Sequence, residues 1–171
     1  MAPLPPVCFI VLQYDPRSHR HWFHLYHFID LVARTRRVML IIEQADQPPD
    51  LPHVERIALL RGNPVTRRLH RALLLFRARL SGYRVFYNHY TFRSARLSGL
   101  ITRLTGGRSY LWHCIPLKDL HHYTDTGIVQ KFLFRITLGL VHYLVTGSSA
   151  MANYYRTHFN LAAHKVVVVP N

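Results

Sequence analysis

Four polar clusters interrupt the apolar runs of this sequence, and each follows a stretch of strand length. Asp15, Arg17, Ser18 and His19 come after VCFIVLQY, and Asn88 and His89 close YRVFYNH. His113 closes SYLWH, and Thr146, Gly147, Ser148 and Ser149 follow HYLV. Imidazoles and hydroxyls both donate and accept hydrogen bonds, carboxylates accept and guanidinium groups donate, so the set suits recognition of a polar or anionic ligand. No Ser-His-Asp or paired-carboxylate arrangement emerges. His113, His121 and His122, with Asp119 and Asp125, fit neither an i, i+4 pair on a helix face nor a Cys/His knuckle, so no metal site is expected. With thirteen histidines in the chain, His113 equally suits a core or edge position satisfied by backbone, and Ser148 is fully explained as a helix N-cap.

The elements that must position these residues alternate. The reading is strand 7–13, helix 19–34, strand 37–43, a short strand at 54–59, helix 64–80, strand 84–88, helix 92–104, strand 109–113, helix 125–140, strand 142–146, helix 149–159 and strand 165–169. Apolar strands separated by helical-period segments form a parallel sheet with helices on both faces, so residues 1–171 read as one α/β, Rossmann-like open unit. In such sheets ligands bind beyond the carboxyl ends of the strands, where the four clusters fall. Asn63 before Pro64 is an N-cap followed by proline at the first helical turn. Gly82 and the Gly106-Gly107 pair suit the left-handed conformation that ends a helix. Residues 44–52, QADQPPDLP, read as a surface loop. A glycine-rich phosphate loop does not follow the first strand, which argues against dinucleotide binding.

The formal net charge is +14, and nineteen of the twenty-two basic residues are arginine. That balance implies an anionic partner, either nucleic acid or the acidic face of a membrane, unless it is offset by an acidic domain elsewhere. Helix 64–80 projects Val65, Leu69, Ala72, Leu73, Phe76 and Leu80 onto one stripe, expected against the sheet, with Arg67, Arg68, Arg71 and Arg79 largely opposite. Arg93, Arg96 and Arg103 share a face of helix 92–104, and the two helices together would offer a continuous basic surface to anionic headgroups. Ten tyrosines and the arginine content also fit a basic nucleic-acid-binding or non-catalytic interaction module, but RNP, KH and helix-turn-helix signatures are missing, which makes nucleic acid the weaker partner. Val7 to Leu12 is far shorter than the roughly 20 residues of a bilayer span, and no basic region precedes it as in a secretory signal. Cys8 and Cys114 lie in apolar strands and form no disulfide framework, which favours a reducing, cytoplasmic setting.

The closing segment HYLVTGSSAMANYYRTHFNLAAHKVVVVPN, together with YRVFYNHY and SYLWHC, resembles the N-terminal, acceptor-binding domain of GT-B glycosyltransferases of the retaining family four. The resemblance implies one Rossmann-like half of an enzyme that moves a sugar from a nucleotide-sugar donor to an acceptor hydroxyl, here a lipid-linked or cell-envelope glycan at the inner membrane face. It implies no cofactor. The donor diphosphate would be held mainly by a C-terminal donor domain, so the chain is expected to be inactive alone. By the same resemblance His113 contacts the reacting sugar in a positional, catalytic role, and His89 and Ser148 contact acceptor or substrate. Where many relatives carry a Gly-Gly pair after the first strand, this chain has DPRSHRHW, which brings Asp15, Arg17 and His19 to the acceptor side.

Overall fold

The computed structural model of the protein describes residues 4–16, 22–115 and 127–170. Arg17, Ser18, His19, Asp119, His121, His122 and Asp125, all weighed above, lie outside the described residues. The chain runs β1 (Val7–Gln13), α1 (Trp22–Ala33), β2 (Val38–Gln44), β3 (Arg56–Leu59), α2 (Pro64–Leu80), β4 (Val85–His89), α3 (Phe92–Thr105) and β5 (Arg108–Trp112). It continues with α4 (Ile128–Leu140), β6 (Tyr143–Thr146), α5 (Ser149–Phe159) and, after a 3-10 turn at Ala163–Lys165, β7 (Val166–Val168).

All strand pairs are parallel, in the order β3-β2-β1-β4-β5-β6-β7. The fold is thus the α/β, Rossmann-like open sheet that the alternating apolar runs imply. Strand order reverses between β1 and β4, which makes their carboxyl ends the natural ligand crevice. Right-handed crossovers fix the layers. The β1-to-β2 step runs one way across the sheet and sets α1 on one face; every step from β3 onward runs the other way and sets α2, α3, α4 and α5 on the opposite face.

Side-chain alternation along the strands divides the core accordingly. Val7, Phe9, Val11, Val38, Leu40 and Ile42 face α1 with Tyr26 and Ile29. Cys8, Ile10, Met39, Ile41 and Phe86 pack under α2 with Leu74, Leu75 and Ala78. Leu111, Leu144 and Val166 pack under the last helices with Leu138, Met151, Ala152 and Tyr155. Asn63 caps α2 as expected, its side-chain oxygen accepting from the N–H groups of Val65 at 3.0 Å and Thr66 at 2.9 Å. Gly107 takes φ +112°, and a Cβ there would stand 2.5 Å from the Arg84 carbonyl oxygen, so only glycine fits the entry to β5.

One expectation is overturned. The stripe of Val65, Leu69, Leu73, Phe76 and Leu80 does not face the sheet; these five side chains are 46% to 72% exposed. The buried face of α2 is instead Arg71, Leu74, Leu75 and Ala78. The physical reason is Glu43, which shares the inward parity of Met39 and Ile41 at the end of β2. Arg71 reaches it with Nε to Oε1 at 3.2 Å and Nη2 to Oε2 at 3.1 Å, and the Ser94 hydroxyl donates to the same carboxylate. A buried carboxylate demands such a partner, and α2 rotates to supply it.

Arg71 therefore cannot belong to a basic outer surface, and Arg67, which donates to the Glu43 carbonyl, is half-buried beside it. Arg79 holds the end of α3 through Thr105 Oγ1 at 2.9 Å and the Gly106 carbonyl at 3.1 Å. Arg96 donates to Thr137 Oγ1 at 3.2 Å, and Arg103 donates to the Leu140 and Gly139 carbonyls at 2.7 and 2.9 Å, satisfying the orphan C-terminal carbonyls of α4. Of the seven arginines expected on one surface, Arg68 and Arg93 are exposed and make none of these clamps.

Candidate functional site

The carboxyl edge of the sheet carries Asp15, His89, His113 and Ser148, each just beyond or at the end of its strand. Asp15 lines a polar cavity of about 440 Å³ with Gln13, Tyr14, Gln44 and Asp46, at the ends of β1 and β2. His89 and His113 do not share a pocket. Alternation sends His89 to the α1 face, where its ring stacks on Trp112 at 6.1 Å, and sends His113 to the face of α3 and α5.

Tyr90 links the two histidines. Its backbone sits at φ +56°, a left-handed conformation that a bulky residue adopts only when its surroundings impose it. Three contacts do so here: its N–H donates to the Trp112 carbonyl at 3.1 Å, its hydroxyl donates to the Cys114 carbonyl, and the same oxygen accepts from the Cys114 N–H at 3.2 Å. The Tyr90 ring then stands 4.8 Å from His89 and 5.6 Å from His113. Sequence reading missed Tyr90, because nothing local in YNHYT marks a positive φ.

His113 is the most constrained group at this edge. It is 1% exposed and ringed by Tyr90, Phe92, Phe134 and Tyr155. Its Nδ1 pairs with the Tyr155 hydroxyl, while the buried Nε2 has no hydrogen-bond partner among the described residues. Burial pushes its pKa down to about 3, so the ring is neutral at physiological pH. Burial likewise lowers His89 to about 4. Burial raises the Tyr155 phenol, which stays protonated and shares a hydrogen bond with the neutral ring at Nδ1. What results is a fixed, uncharged imidazole whose ring orientation is set by its neighbours. A group so hard to protonate makes a weak general base near pH 7.

Ser148 opens α5, its hydroxyl accepting from the Met151 N–H at 3.2 Å, so the cap is real. The first-turn N–H groups of α5 lie at the same edge as His113, whose own N–H donates to the Val145 carbonyl at 3.0 Å.

Neither a family model nor a curated protein matches this chain. Solved structures do. A UDP-GlcNAc 2-epimerase from Methanocaldococcus jannaschii superposes with a TM-score of 0.65 at 11% identity, over 97% of this chain and 45% of the other. Anabaena HepE in complex with UDP gives 0.63 at 14% identity, over 97% and 44%. A UGT from Siraitia grosvenorii in complex with UDP gives 0.57 at 11% identity, over 96% and 50%. The chain has the fold of one half of a GT-B-like enzyme. It spans half or less of the length of these neighbours, and at such identities the likeness is one of fold.

Proposed function

We propose that this chain is the acceptor-binding half of a glycosyltransferase that moves a sugar from a nucleotide-sugar donor to a lipid-linked or cell-envelope glycan. The observation that carries the reading is His113: a neutral imidazole at the carboxyl edge of the sheet, its Nδ1 paired with Tyr155 and its Nε2 without a hydrogen-bond partner among the described residues; with Tyr155 donating, that Nε2 carries the proton. An unpaired buried donor costs the fold about 1–3 kcal/mol. A ligand hydroxyl or ring oxygen would satisfy it once the aromatic side chains that now seal it move aside. The fold supports the same reading, since its neighbours include a UDP-bound transferase and an epimerase of a UDP-sugar.

In the reaction, the acceptor hydroxyl oxygen bonds to the anomeric carbon as the bond from that carbon to the diphosphate oxygen breaks, and the hydroxyl proton leaves with the displaced diphosphate. His113 holds the sugar in register for this exchange, a contribution of orientation rather than proton transfer. Ser148 and the first-turn N–H groups of α5 offer donors to sugar oxygens or an anion. Asp15, with Arg17 and His19, would select the acceptor, and His89 would border it from the α1 face. The donor diphosphate needs a second domain, and none of these residues is assigned to it.

Isothermal titration separates the halves of this proposal. Acceptor-type oligosaccharides should bind, and His113→Phe should weaken them at least tenfold, whereas UDP alone should bind weakly and indifferently to that change. Tight UDP binding that survives His113→Phe would assign the chain to the donor side instead.

A further inference from the structure

We infer that the outer layer formed by α2 and its neighbouring helices is a docking surface for an anionic lipid bilayer, with the exposed stripe of α2 as the inserting element. The inference stands apart from the sugar-transfer reading, because it rests on the outward faces of the helices rather than on the carboxyl edge of the sheet, and on different side chains.

The stripe is Val65, Leu69, Leu73, Phe76 and Leu80, spaced i, i+4, i+8, i+11 and i+15 on one helix face. At 3.6 residues per turn, the exposed arginines Arg68 and Arg77 fall on either side of it. Leu104 on α3 and Phe132 on α4 extend the apolar exposure across the same layer. A contiguous apolar patch on a helix with a stable buried face of its own marks an interaction surface rather than a misfolded core.

Charge chooses the partner. After Glu55 the chain has only two acidic residues, Asp119 and Asp125, so α2, α3, α4 and α5 carry no carboxylate at all. The acidic side chains cluster instead around β1, β2 and α1. A helix with leucine and phenylalanine on its outer face and arginine at both flanks lies in the plane of an interface, apolar residues at the acyl boundary and guanidinium groups among the headgroups. Nucleic acid would use the arginines but leave the five apolar side chains against phosphates. Among the described residues no helix is long and apolar enough to cross a membrane, so attachment through this face is interfacial.

Flotation with vesicles of phosphatidylcholine and phosphatidylglycerol, against phosphatidylcholine alone, tests the surface. The chain should float only with anionic vesicles. Leu69→Glu with Phe76→Glu should abolish flotation without lowering Tm, since both side chains are already exposed. Arg68→Gln with Arg77→Gln should weaken it about fivefold per arginine and flatten its salt dependence. Flotation unchanged by the glutamate pair, or equal on neutral vesicles, would overturn the inference. So would concentration-dependent self-association lost in the same variant, which would give the stripe to a second copy, or equally tight binding to an oligonucleotide. Sugar binding by titration is read separately, so a failure here leaves that proposal intact.

Discussion

Arg71→Ala is the perturbation that most sharply separates the observed packing from the helix projection. On the projection Arg71 is a surface residue, and its removal should fall within about 0.5 kcal/mol of neutral. In the structure Arg71 and Glu43 are both nearly sealed from solvent, joined by two hydrogen bonds at 3.2 and 3.1 Å, with Ser94 as a third member. Removing the guanidinium strands a buried carboxylate, for which the cost is about 3–5 kcal/mol. For a chain of this length each kcal/mol moves Tm by about 2–4 °C, so the expected drop is roughly 6–20 °C. Urea denaturation followed by circular dichroism gives the free energy, and a thermal melt gives the shift. Arg68→Ala, at the exposed flank of the same helix, serves as the matched control and should be silent. The double variant Glu43→Met with Arg71→Met should recover most of the loss, because a buried pair replaced by apolar groups of similar volume is close to neutral. An Arg71→Ala variant as stable as Arg68→Ala would refute both the burial of the pair and the orientation of α2 that follows from it.

Other outcomes follow from single contacts. His89 and His113 have folded pKa values of about 4 and about 3 against an ordinary 6.5, so below pH 6.5 the unfolded chain takes up protons that the folded chain refuses. Stability is therefore complete above that pH and declines as it falls toward 4, by about 1.4 kcal/mol per pH unit for each ring; His113→Phe should remove its share of the slope in denaturation series run across this window. Asn63→Ala loses the two N–H bonds at the start of α2 and should cost about 1 kcal/mol in urea denaturation. Gly107→Ala meets both a positive φ and the Arg84 carbonyl, and should cost more than about 1 kcal/mol, read as a lowered Tm.

The strand and helix pattern was legible because parallel strands buried on both faces read as unbroken apolar runs, and because Asn63-Pro64, Gly82 and Gly106-Gly107 punctuate them. Those glycines do adopt positive φ. The rotation of α2 was not legible, since the helix carries leucines on two faces and local periodicity favours the larger stripe. Only the inward parity of Glu43 on VMLIIEQ hinted that an arginine would be drawn under the helix. At the carboxyl edge, the strand ends pointed to His89, His113 and Ser148. Alternation along the strands, which parts His89 from His113, was there to be used. The Tyr155 partner of His113 lies 42 residues further on, and the left-handed Tyr90 is imposed by Trp112 at the end of the next strand and Cys114 just beyond it; neither relation is local.

The most direct test of the sugar-binding account is a long-range proton–nitrogen NMR spectrum of the imidazoles, recorded while an acceptor-type oligosaccharide is titrated in. The account expects His113 as the neutral Nε2–H tautomer throughout the range above pH 5, with its Nε2 resonance moving on saturation as a hydrogen bond to the sugar forms. A His113 ring that is protonated near neutrality, or a Nε2 resonance unmoved by a sugar that demonstrably binds, would contradict it.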